Sequence, residues 1–442
     1  MKTRSLKWLA LGLVIGACDS PLDTNPTVDV DAETALSTGA AVQQAVLGAY
    51  RALASSALYS RQEVVFPDLY ADNYTFTGTF QTDREYSLRA VAASNTANRD
   101  AWQAAYAGIL RANHILGALP DVSNMTDADK SRARGEALFL RSVNYMILAR
   151  WFGGVPLITM PTKALNEEST APRNTVQQVY AFIEQDLEEA ATLLPTGRVN
   201  GRATQGAANA LLARVYLEDA KYTQARDKAT LLIANTATYR LVTNYRDLFT
   251  NKHTVESIFE LHYAGGENTN SLAFWHFDQS QGGRRGFQPN ASLNNSFEVN
   301  DQRRAASITT QANRLIGFKY FRISTQDDNV HVVRLAEMYL IRAEANMRLN
   351  AAADVVRADI DVVRARAGIL PLPATVITTT QLTDAILQER RVEFAMEGHR
   401  FFDLRRLGRA TTVLAIAPER LLMPIPQGEI DVNPNLVQNT GY

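Results

Sequence analysis

One cysteine, Cys18, stands in 442 residues. No intrachain disulfide and no cysteine-rich metal site is open to such a chain. The sequence also lacks an excess of either charge: 45 Lys and Arg face 46 Asp and Glu, for a formal net charge of −1. That excludes the basic stripe needed to neutralise phosphates, so nucleic acid is not an expected partner. It equally excludes bulk attraction to an anionic membrane. No apolar run is long enough to span a bilayer. There is no Gly-x-Ser-x-Gly elbow and no phosphate-cradling loop ending in Lys. The histidines His114, His253, His262, His276, His331 and His399 never fall at the i, i+4 spacing of a helical zinc site. No catalyst, metal or cofactor is therefore expected.

What the sequence does contain is ordinary globular material, with 46% hydrophobic and 21% charged residues. Its first residues are different. Lys2, Arg4 and Lys7 precede ten uncharged residues, Trp8 to Ala17, the pattern of a secretory signal. The run ends in Ile15-Gly16-Ala17-Cys18, which looks like a bacterial lipobox. A plain signal peptide with an incidental cysteine is the alternative. Residues 1–17 are assigned as signal peptide, with lipidation expected at Cys18. Each acyl CH₂ buried in lipid contributes about 0.8 kcal/mol, so two chains anchor stably. Residues 18–30 are assigned as a lipidated tether, acidic and broken by Pro21 and Pro26. Asp19 complicates the destination, because in some bacteria that position retains a lipoprotein at the inner membrane.

Beyond the tether, apolar residues recur at three- and four-residue spacing. Helices are expected over about Glu33–Tyr59, Arg99–Leu119, Ala128–Trp151, Thr175–Leu194 and Thr380–Leu407. "LLARVYLEDAKYTQARDKATLLI" resembles a tetratricopeptide unit, with Ala213, Tyr216, Ala220, Tyr222 and Ala225 near its small and aromatic positions. A second such pair is expected at His331–Asn350 and Ala353–Ala367. The expected fold class is mainly all-α, built of tetratricopeptide-like helical pairs with an irregular, loop-rich, ligand-facing subdomain. The expected divisions are 31–260, an N-terminal helical repeat part; 261–330, a loop-rich insertion; and 331–442, a C-terminal helical part and tail. The insertion is rich in Gly, Asn, Gln and Ser, and such a stretch inside a helical protein points to function.

The chain resembles the SusD/RagB family of outer-membrane nutrient-binding lipoproteins nearly end to end. "LTDAILQERRVEFAMEGHRFFDLRRLG" is similar to that family's late helix, and "LLMPIPQGEIDVNPNLVQNTGY" to its terminal tail. "CDSPLDTNP" and "RGEALFLRSVNYMILARWFGGVPLI" stand in the family's order. The resemblance implies a helical fold without catalysis, held at the outer membrane by lipid and facing the exterior. It implies a TonB-dependent, SusC-like barrel as partner, and an oligosaccharide or polysaccharide as ligand, with a peptide as the alternative.

Sugars stack the apolar face of a pyranose on an aromatic ring while polar groups at the rim hold the hydroxyls. "DLYADNYTFTGTF" and "NSLAFWHFDQSQGGRRGF" carry that mixture. They supply the candidate ligand-binding residues Asp72, Asn73, Tyr74, Phe76, Phe274, Trp275, His276, Asp278 and Phe287; a place in the core is the alternative for each ring. Glu389, Glu393 and Glu397 lie four apart and suggest a glycosidase pair. The arginines around them, Arg390, Arg391, Arg400, Arg405 and Arg406, favour a structural ion network instead. Asp301, Arg303 and Arg304 are likewise read as a structural turn. A glycoside hydrolase and a protein-only helical scaffold remain as rivals.

Overall fold

The computed structural model describes residues 35–161, 170–266 and 268–442. Cys18, the expected signal peptide and the tether lie outside the described residues.

Long helices carry the fold: α1 (Gly39–Leu53), α2 (Thr96–Ala118), α3 (Asp127–Phe152), α4 (Val176–Leu193), α5 (Gln205–Glu218), α6 (Tyr222–Ala234), α7 (Leu335–Arg348), α8 (Ala353–Arg366) and α9 (Thr379–Glu393). Their starts are written in side-chain caps. Thr175 and Gln178 close a reciprocal capping box at α4, and Thr378 with Gln381 does the same at α9. Thr38, Asn95, Thr126 and Thr204 cap α1, α2, α3 and α5. From Gly135 to Phe152 every residue of α3 is buried, so α3 is the hub, with α1, α2 and α4 packed around it. In α5, Ala207, Ala208, Ala210 and Ala213 let neighbours approach closely, and α5 packs with α4 and α6. Helix α6 then meets α7, and α7 meets α8, so two helical hairpins stack.

Small antiparallel strand pairs complete the architecture: β1 (Tyr74–Phe76) with β3 (Phe287–Pro289), β2 (Ser257–Leu261) with β6 (Val330–Arg334), and β4 (Ile308–Gln311) with β5 (Arg314–Gly317). In the β2–β6 ladder Leu261 faces Val330. Residues 261–330 thus leave and rejoin the helical body at one point.

The structure corrects several sequence expectations. The first helix is shorter than Glu33–Tyr59 at its C-terminal end, because the chain turns after Leu53. His331–Arg334 form strand β6, not the start of α7; all five residues of β6 are buried, and burial on both faces erases the alternation of apolar and polar residues that marks a strand. The helix expected to run from Thr380 to Leu407 ends at Glu393 and resumes as Arg400–Arg406. At the break, Gly398 has φ +78°, and a Cβ there would sit 1.9 Å from the Glu63 carbonyl oxygen. The Asp68 carboxylate accepts the N–H groups of Gly398 (3.1 Å) and Met396 (3.4 Å), replacing partners that a continuous helix would supply. The insertion also builds a core of its own, where Ala273, Phe277 and Ile316 pack with Phe318, Phe321 and Ile323.

The terminal tail is held by side-chain amides. Gln438 donates to and accepts from the Ile425 backbone, and Asn439 donates to the carbonyls of Phe152 and Met423. Arg173 donates to the Gly154 and Val437 carbonyls and to the Asn439 side chain. The tail motif therefore performs a structural task.

Candidate functional site

Tyr74 and His276 are 202 residues apart in sequence and in contact in space. The β1–β3 ladder brings their stretches together, with Phe76 opposite Phe287 and Tyr74 opposite Pro289. Trp275 lies on the short helix Leu272–His276, and its carbonyl accepts the Gly286 N–H at 2.8 Å. A Cβ on Gly286 would stand 3.1 Å from Trp275 Cε3, so the glycine lets the chain run against the indole. Around Trp275 the ring centroids of Phe274, Phe287 and Phe80 lie at 5.5, 5.8 and 6.0 Å. Phe80 is 43% exposed, Phe274, Trp275 and Phe76 are half-buried, and Phe287 is fully buried. The outer rings form a surface patch and Phe287 is its floor.

The structure divides the candidate residues. Phe274 and Trp275 meet at the surface, and half-buried Phe76 packs on the same floor ring, Phe287, as Trp275 does. Tyr74, His276 and Phe287 are enclosed, so a ligand has no access to them here. Burial pulls the His276 imidazole down to about 4 and keeps it neutral at pH 7. Its Nδ1 lies 2.7 Å from the Leu272 carbonyl, which can only accept. Nδ1 therefore carries the proton, and Nε2 accepts from the Tyr74 hydroxyl at 2.7 Å. This pair fixes the floor beneath the rings.

Asp72 and Asn73, expected at the rim, have internal partners instead. Arg400 binds Asp72 through two hydrogen bonds, at 2.7 and 3.0 Å, and Arg391 lies 3.2 Å away. Burial works against the charge of Asp72, but Arg400 and Arg391 outweigh it and hold the carboxyl below its usual range. Asn73 donates to Asp68 and accepts from Arg391 at 2.9 Å. These bonds tie the β1 loop to the C-terminal helices. Asp278 is half-buried at the edge of the patch, 3.1 Å from Arg285 Nη1.

Sequence reasoning missed the cations of the site. The Arg61 guanidinium lies 4.2 Å from the Trp275 ring centre and pairs with Asp83. Arg284 lies 4.3 Å from the Phe80 ring centre and 5.7 Å from that of Trp275. Arg84 stands 5.9 Å from Phe76. Arg284 sits inside a stretch already singled out for its rings, and counting its charge would have found it. Arg61 carries no such signal.

Glu389, Glu393 and Glu397 are enclosed in a different cluster. Arg303 contacts Asp301, Glu389 and Glu393; Arg334 contacts Glu256, Glu393 and Glu397; and Lys319 donates to Glu397 at 2.6 Å. Burial opposes ionisation of Glu393, yet Arg366, Arg334 and Arg303 together hold it well below the carboxylate range. Glu397 is likewise opposed by burial and held at about 2 by Arg334 and Lys319. Glu393 and Glu397, kept ionised, cannot donate a proton to a glycosidic oxygen. Burial raises Glu389 despite Arg303 and Arg364, but its carboxyl is enclosed, out of reach of a glycosidic oxygen. This cluster joins the insertion, through Arg303 and Lys319, to the end of α9.

Fold and site together define an α-helical binding scaffold whose inserted segment presents a ring patch. Among the described residues no helix is long and apolar enough to cross a membrane. Two family models match: one described as "Starch-binding associating with outer membrane" over residues 22–217, and the SusD family over 317–419. The chain belongs to the SusD/RagB family. It is 24% identical to SusD-like protein P38 of Formosa agariphila, over 98% of this chain and 97% of that one. A SusD-like protein of Bacteroides ovatus is 27% identical over 91% of this chain and 82% of its own. Among solved structures, a laminarin-binding SusD-like protein superposes with a TM-score of 0.82 at 28% identity, covering 92% of this chain and all of that one.

Proposed function

We infer that the protein is a non-catalytic, lipid-anchored glycan-binding protein of the outer surface that passes its ligand to a TonB-dependent, SusC-like barrel. The observation that carries this reading is the ring patch formed by Trp275 and Phe274 of the inserted segment with Phe80 beside Trp275. Family membership supports it, as do the solved relative that binds laminarin and the family description as starch-binding at the outer membrane. In this reading residues 1–17 are removed, residues 18–30 tether the protein through Cys18, and residues 261–330 face the ligand. Stacking one pyranose on one ring buries about 60 Å² of apolar surface, worth about 1.5 kcal/mol. Two rings give about 3 kcal/mol, weaker than millimolar before hydrogen bonds are added. Capture then depends on the neighbouring barrel, through proximity.

A glycan array probed beside a peptide library tests the ligand class. Binding to glycans supports the reading, and binding to peptides alone replaces it with the peptide alternative. Labelled palmitate incorporated by the wild type and lost in Cys18→Ala supports the anchor; label retained in the variant removes it. Pull-down after mild detergent extraction should recover a large β-barrel, with more than the standard ~1,600 Å² buried between the partners.

A further inference from the structure

We propose that the glycan held at the ring patch is acidic, carrying carboxylate or sulfate groups beside the sugar that stacks there. This rests on the glycan reading above and narrows it to a substrate class. The chain as a whole is almost neutral, with a formal net charge of −1. The patch is not. Arg61, Arg84, Arg284 and Arg285 gather around Trp275, Phe80, Phe76 and Asp278. Asp83 and Asp278 are the carboxylates that pair with them: Asp83 with Arg61, and Asp278 with Arg285. Arg84 and Arg284 have no carboxylate within ion-pair distance among the described residues. The Arg284 side chain's hydrogen bond is a long one, 3.4 Å to Thr79 Oγ1. Both are exposed.

Geometry makes these cations useful to an anion. A guanidinium stacked on a ring spends its face and keeps its N–H donors in the plane, pointing away from the ring edge. That fork matches the paired oxygens of a carboxylate or a sulfate. Arg284 lies within 6 Å of two rings that would hold a pyranose, so an acidic substituent on that sugar falls within its reach. Arg61 and Arg284, both close to Trp275, also repel each other, and arginine cannot relieve this by losing its proton. An incoming anion relieves it. A neutral glycan can accept hydrogen bonds from these donors but brings no charge to offset the repulsion.

The test prints acidic polysaccharides beside their own neutralised forms: polyuronates with their carboxyl-reduced forms, and sulfated galactans and fucans with their desulfated forms. The full mature chain is the probe, and calorimetry follows on the best pair. The acidic member should bind at least about tenfold tighter, and raising NaCl from about 50 mM to about 500 mM should erase most of the difference. The uronate and sulfate arms distinguish the two sources of charge. A best ligand that is neutral, or whose neutralised form binds equally well, overturns this inference and leaves the glycan reading standing. No binding to any glycan overturns both. The double variant Arg84→Gln, Arg284→Gln, at two exposed positions, should melt as the wild type does. Its ratio of acidic to neutralised affinity should fall to about one; an unchanged ratio overturns the assignment of these residues.

Discussion

Replacing Glu397 by Gln tests whether the buried charge cluster locks the inserted segment to the helical body. Glu397 accepts from Lys319 of the insertion at 2.6 Å and from Arg334 of β6 at 2.9 Å through two nitrogens. Its carboxyl is held at about 2 against an ordinary 4.5: burial raises it, and Arg334 with Lys319 more than reverse that. A carboxyl depressed on folding contributes stability that is present above about 4.5 and lost as pH falls toward 2. The difference corresponds to about 3 kcal/mol at neutral pH. Glutamine also leaves Lys319 and Arg334 buried against an amide, so the loss at pH 7 should be about 3–5 kcal/mol. At roughly 2.1 cal/mol/K per residue, a chain of this size should melt about 4 °C lower. Calorimetric melts at pH 7 and pH 3 check this. About half of the wild-type advantage should be gone at pH 3, because the unfolded chain's carboxyl is then protonated while Glu397 in the folded protein, held at about 2, is still mostly ionised. A gap of equal size at both pH values, or no gap at pH 7, would refute the role given to this carboxylate.

Gly398→Ala should cost about 2–5 kcal/mol, from the left-handed backbone and from a Cβ set 1.9 Å from the Glu63 carbonyl; a denaturant midpoint within error of wild type would remove the steric explanation of the helix break. For His276, burial pulls the imidazole down to about 4, so it should stay neutral well below pH 6, and NMR of its ring protons should show no titration near pH 6.5. Since this histidine resists protonation only when folded, the stability it provides is full above about 6.5 and lost as pH falls toward 4. A midpoint near 6.5 in the native protein would contradict the enclosed Tyr74–His276 pair.

Much of the helical body was legible because its signals are local. Thr175 with Gln178 and the stop at Pro195 delimit α4 to within a residue or two, and Gly153-Gly154 ends α3 where expected. The break after Glu393 was not legible, because its causes are the Glu63 carbonyl and the Asp68 carboxylate, which lie more than 300 residues earlier. At the site, composition led to the right stretches but not to the role of each residue. Asp72 and Asn73 look like rim ligands in their own loop; Arg391 and Arg400, from the far end of the chain, occupy them. Phe287 and His276 look alike in sequence to Phe274 and Trp275, yet the β1–β3 ladder buries one pair and leaves the other half-exposed. Of the cations at the patch, Arg61 is announced by no neighbouring residue in the sequence.

Calorimetry of Trp275→Ala with the best-binding glycan decides whether Trp275 is a platform for a sugar ring. A melt of the unliganded variant beside Trp151→Ala, whose indole is 4% exposed and should cost about 3–5 kcal/mol, separates lost contact from lost fold. Trp275→Ala should bind about tenfold more weakly, equivalent to about 1.4 kcal/mol, with a much smaller fall in melting temperature than Trp151→Ala. Unchanged affinity, or a melting loss as large as that of Trp151→Ala, would contradict it.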